Sequence, residues 1–145
     1  MQSIIVIILI GLVGGIAVGV QAPLSSMISQ RLGVIESIFI IHLGGAIAAL
    51  IPLIYYGGGK LSNWRAVPWY ALCAGVFGLV VIFSMSYMIP RVGVATALII
   101  LLAGQLFIGT ILDHFGLLGA IQRPLELSRI FGLAIVLAGV WLTVK

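Results

Sequence analysis

The chain has 145 residues, is 63% hydrophobic and carries only seven basic and three acidic side chains, for a formal charge of +4. With so little polar surface to cover a soluble core, and with basic residues placed singly, the composition excludes a water-soluble globular domain and a nucleic-acid-binding surface. One aspartate, two histidines and one cysteine likewise exclude an aspartyl dyad, a disulfide framework and a metal cluster, so no catalytic residue, metal or cofactor is expected.

Residues 1–30, 37–59, 66–90 and 92–112 lack any Asp, Glu, Lys or Arg. At about 1.5 Å rise per residue, each can cross roughly 30 Å of hydrocarbon as a helix. The run 130–144 does so if it begins near Leu125 and lets Arg129 extend towards the headgroups. An all-α integral membrane protein of five transmembrane helices is therefore expected, with residues 1–145 as a single domain. The first span is expected to be retained, because it lacks the basic start of a signal peptide.

The first span covers about Ser3–Ile28, with an interruption near Pro23, which cannot donate a backbone hydrogen bond. The second covers about Val34–Tyr56. A glycine-rich loop bearing Lys60 and Arg65 follows. The third runs from about Ala66 to Ile89, with Pro68 in its first turn and Pro90 as its stop. After a short Arg91-Val92-Gly93 connection, the fourth covers about Val94–Leu112. A loop from Asp113 to Pro124 leads into the fifth, about Leu125–Val144, where Glu126 suits the helix N-terminus. Cys73 lies in an apolar run and is expected to be packed.

Tyr55, Tyr56, Trp64, Trp69 and Tyr70 gather around the second loop and Trp141 lies towards the other face, as expected of interfacial aromatics. Five crossings put the chain ends on opposite sides. Lys60, Arg65, Arg123 and Arg129 then share the N-terminal side, against Arg31, Arg91 and Lys145 opposite. Orientation follows the Lys/Arg excess of short loops, and four against three is almost no excess. Insertion in both orientations and assembly of an antiparallel homodimer are expected. Ten helices related in this way have the symmetry of inverted-repeat transporters, with a site near the bilayer midplane.

Gly11, Gly15 and Gly19 recur every fourth residue, a spacing that permits close helix approach within the subunit or between subunits. Gly132 and Gly139 make the fifth span a candidate dimerisation helix. Polar groups at membrane depth are costly and mark candidate pathways. These are Gln21 and Ser25 at the proline site, His42, Ser84, Tyr87 and Gln105. For Gln105 and His42, an interhelical hydrogen bond is the competing reading. Imidazole changes charge in the physiological range, which makes His42 a candidate for proton movement. Glu36, Asp113 and His114 are candidate proton or gating residues. Asp113 opposes the dipole at a helix C-terminus, so a clamp to Arg123 or Arg129 is the competing reading.

The stretches AGQLFIGTILDHFGLLG and QRPLELSRIFGLAIVLAGVWL, with VQAPLSSMISQRLG, HLGGAIAAL and PRVGVATA upstream, resemble the YdcZ-like five-helix family of the drug/metabolite transporter (DMT) superfamily. The resemblance covers essentially the whole chain. It implies a multi-pass protein of the bacterial cytoplasmic (inner) membrane, half of a ten-helix transporter, with members that insert in dual topology or as oppositely oriented pairs. It implies kinship with the small multidrug resistance exporters and makes Gln105, Asp113, His114, Phe115 and Gly116 signature positions. Those exporters carry a glutamate in their first helix, whereas residues 1–30 here contain no acid. A neutral or zwitterionic metabolite, or movement without proton coupling, therefore has equal standing with drug/proton exchange. The expected function is secondary transport of an unidentified small molecule; the alternatives are a non-transporting scaffold or subunit, or a channel.

Overall fold

The computed structural model describes residues 4–144; Ser3 and Lys145, which figured in the helix and charge assignments above, lie outside the described residues. Its long helices are α1 (Ile4–Leu32), α2 (Val34–Tyr55), α4 (Ala74–Val92), α5 (Val94–Phe115) and α6 (Leu127–Val144), with a single helical turn, α3 (Trp69–Leu72), ahead of α4. There is no strand among the described residues. Counting α3 and α4 as one, five helices are long and apolar enough to cross a membrane. The fold is all-α, as the charge-free runs require.

Several helix ends differ from the sequence reading. α1 continues through Pro23 and past Ile28 to Leu32. Its polar last turns stay helical because their side chains bond along the helix. Ser29 Oγ donates to the Ser26 carbonyl at 2.9 Å and Gln30 Nε2 to Ser26 Oγ at 3.0 Å. The stop is Gly33, whose φ of 117° lies where L side chains are strained, so α2 starts after one residue.

The same device closes α4. Pro90 does not end it; the helix runs on to Val92 and Gly93, at φ 81°, makes the turn. A proline in the last turn removes one bond without preventing the next residues from closing theirs. α5 extends to Phe115, with Gly116 in the left-handed conformation as its cap, so Asp113 and His114 belong to a helical turn and not to a loop. The third span begins at Trp69, not Ala66, because Leu61–Ala66 forms a 3-10 turn and Pro68 stays outside the helix. The last begins at Leu127, after the Glu126 carbonyl has accepted the Arg129 and Ile130 amides at 3.0 and 3.2 Å. Cys73 is exposed at the break between α3 and α4, not packed.

The chain divides into two compact units, Met1–Pro90 and Arg91–Lys145. In the first, the end of α1 packs on the start of α2. Ser37 is wholly buried and its Oγ donates to the Ser25 carbonyl at 2.9 Å. In the second, α5 packs on α6, and Thr96 Oγ1 of α5 donates to the Thr143 carbonyl of α6 at 3.4 Å.

Burial follows a repeat in the chain. Ala22, Ser25, Ser26 and Ser37 are buried around Gly33, and Ile82, Met85, Ser86 and Ala97 around Gly93. Each member of the first set lies as far from its counterpart in the second as Gly33 lies from Gly93. Arg31-Leu32-Gly33-Val34 and Arg91-Val92-Gly93-Val94 carry the matching sequence. The buried positions and the Arg-x-Gly-Val turn therefore recur together along the chain.

Candidate functional site: a polar cleft between two helices

In the second unit α5 and α6 diverge around a cleft of about 480 Å³. It is lined by Gln105, Gly109, Thr110 and Asp113 of α5, by Arg129, Gly132 and Val136 of α6, and by neighbouring leucines. Positions 105, 109 and 113 stack on one helix face because four residues complete about one turn. Neither Gly109 nor Gly132 has a non-local atom within 4 Å of where a Cβ would stand. Missing side chains at these positions leave the space open.

At the loop end of the cleft, Arg129 Nη1 meets Asp113 Oδ2 at 3.3 Å, both side chains remaining partly exposed. That is longer than a strong charge-assisted contact, about 2.7–2.9 Å, and is single, not forked. Each charge also sits at the end of a helix dipole that disfavours it, the acid at a C-terminus and the guanidinium in a first turn. Each therefore compensates the other. Arg123 meets Asp113 only through the backbone, donating its amide to the Asp113 carbonyl at 2.7 Å.

The loop is fixed by His114. Its Nδ1 accepts the Leu125 amide at 3.1 Å, and its carbonyl accepts Gln122 Nε2 at 3.4 Å. His114 therefore ties the loop to the end of α5 and does not line the cleft. Thr110 was missed by the sequence reading, although its place three residues before Asp113 puts it near that residue's side of α5. Its hydroxyl donates to the Leu106 carbonyl at 2.7 Å and keeps a lone pair for a ligand.

The remaining polar candidates belong to the first unit. Gln21 is exposed on α1; Ser25 is buried, and its Oγ has no hydrogen-bond partner in the structure. His42 is half-buried, its Nδ1 2.8 Å from the Ile38 carbonyl. With Nδ1–H donating there, Nε2 is left as the acceptor. It faces Gly78 of α4, where a Cβ would come within 2.7 Å of it. Ser84 Oγ donates to the Val80 carbonyl at 2.8 Å, and Tyr87 is exposed. Glu36 folds its carboxylate over Gly33 and lines a separate apolar recess with Leu32, Ile35, Phe39 and Ile40. The glycines at 11, 15, 19, 132 and 139 have open space around them. Ser37, wholly buried, was not singled out from sequence. Short hydroxyls in an apolar run give little sign of which side they face.

Tyr55 and Tyr56 stack edge-on at 5.2 Å, as do Trp69 and Tyr70 at 6.2 Å, and the Arg65 guanidinium lies 5.6 Å over Trp64. This exposed amphipathic group suits a headgroup layer.

Five apolar helices flanked by such a group define a multi-pass helical protein of the membrane. A family profile described as "Putative inner membrane exporter, YdcZ" matches residues 6–142, and the chain belongs to that family. It is 28% identical over 136 residues to "Inner membrane protein YdcZ" of Escherichia coli (strain K12), covering 90% of this chain and 89% of that relative. No solved structure matches. The chain is thus a multi-pass protein of the bacterial inner membrane, and its family supports a transport role and fits a protein that is not an enzyme.

Proposed function

We propose that the chain is a half-transporter: two copies in opposite orientations form an antiparallel homodimer that moves a small molecule by alternating access. The observation that carries the reading is the cleft itself. In a chain with ten charged residues, an amide, a hydroxyl and an ion pair line one α5–α6 groove that reaches towards the middle of α5. Polar groups at such depth are costly without a function or a partner. The near-equal division of Lys and Arg supports insertion both ways, and the open glycine faces at 11, 15, 19 and 139 suit close approach of a second copy.

In this reading Gln105 lines the pathway, with Gln21, Ser25, Ser84 and Tyr87 contributing from the first unit, and Glu36 or Asp113 gating it. For His42 the Ile38 bond and the contact on Gly78 favour packing over proton movement. Flux of candidate solutes into proteoliposomes tests the proposal. Gln105→Leu is expected to lower flux at least about tenfold, the scale of one lost polar contact, without dissociating the dimer. Unchanged flux with improved stability would favour a scaffold, and non-saturable flux without counter-substrate stimulation would favour a channel.

A further inference from the structure

The ion pair in the cleft is open on both sides of its single contact. Arg129 presents a planar fork of donors and uses Nη1 on Asp113 at 3.3 Å; a carboxylate ligand matches that fork at two points. The carboxylate of Asp113 has acceptor sites beyond Oδ2, suited to an ammonium group. Opposite charges side by side give the head of the cleft no net charge, so a purely cationic or purely anionic guest leaves one charge without its partner. Beyond the pair, the walls are leucine and valine over the gaps at Gly109 and Gly132. Gln105 lies eight positions before Asp113, about 12 Å along the helix.

We propose that this cleft binds a small amphipathic zwitterion. Its ammonium rests on Asp113, its carboxylate on Arg129, and its apolar body lies over Gly109 and Gly132 towards Gln105. The guest enters the Nη1–Oδ2 contact and replaces one loose bond by a carboxylate–guanidinium and an ammonium–carboxylate contact. This inference rests on the transport reading for its purpose, but binding alone tests it.

The probes are L-norleucine, its methyl ester (cationic only) and N-acetyl-L-norleucine (anionic only), titrated onto the purified full chain in lipid nanodiscs at neutral pH. Norleucine is expected to bind at least about tenfold more tightly than either analogue, the scale of one lost charge-assisted contact. Arg129→Gln is expected to erase the difference between norleucine and the ester, and Asp113→Asn that between norleucine and the N-acetyl compound. Gly109→Leu fills the cleft, leaves the ion pair in place and is expected to abolish binding. Should a charge variant fail to fold, the three ligands on the unaltered chain still decide the matter. Equal binding of norleucine and its ester, or binding of none of the three, overturns the proposal. If none binds while flux of another solute depends on Gln105, the zwitterion is wrong and the transport reading stands. If no flux depends on Gln105, the transport reading fails whatever binds.

Discussion

Gly78 shows how one missing methyl group positions a polar side chain. The His42 ring occupies the space a Cβ would fill, held from behind by Ile38. Gly78→Ala is therefore expected to destabilise the protein by about 1–3 kcal/mol, as overpacking does. His42→Ala should relieve most of that loss in the double variant, so that a double-mutant cycle returns a clear coupling energy. Additive losses would mean the ring has room to move. At Ser37, alanine deletes the donor to the buried Ser25 carbonyl. The expected cost is about 0.6 kcal/mol, the average for interhelical bonds in membranes, and at most about 1.7 kcal/mol, read as a lower unfolding midpoint in mixed micelles. Neither pairing is legible in the sequence. A histidine or serine in an apolar helix reveals its depth by position, but its partner depends on helix rotation, which an all-apolar bundle does not encode by periodicity.

The two glycine turns govern the elements. Gly33 and Gly93 both adopt positive φ, but only at Gly33 would a Cβ also strike a side chain, the Glu36 carboxylate. Alanine at either position is expected to cost about 1–3 kcal/mol in backbone strain, with Gly33→Ala the worse of the two. Glu36→Ala should soften Gly33→Ala and leave Gly93→Ala unchanged, as thermal unfolding would show; equal rescue of both would contradict the steric account. The spans themselves were legible because charge is absent from them and present between them. Their ends were less so. Prolines at 23 and 90 draw the eye as helix breakers, yet Gly33, Gly93 and Gly116 end α1, α4 and α5, supplying the positive φ that these turns use. Ile28 reads as the end of the first span, but Ser29 and Gln30 bond back onto Ser26 and the helix continues to Leu32. Likewise, Asp113 and His114 read as loop residues, and their inclusion in α5 is what brings Asp113 into line with Gln105.

At the scale of the whole molecule, the proposed half-transporter rests on five crossings, a nearly even division of positive charge and few polar groups at depth. Weak orientation bias has a direct consequence. Adding two lysines near Asn63 should drive that loop to the cytoplasm, lowering flux because oppositely oriented partners become scarce. Co-expression with a chain biased the other way, by lysines beside Gly93, should restore it. Flux that is unchanged in the singly biased chain would argue for parallel or monomeric function.

The antiparallel pair is tested most directly by where a single loop lies in intact cells. With Cys73→Ser removing the native thiol and Asn63→Cys marking the loop before α3, an impermeant maleimide should label a substantial fraction from outside. The remainder should react only after the membrane is opened. Labelling confined to one side of the membrane, in a chain that still transports, would contradict the account.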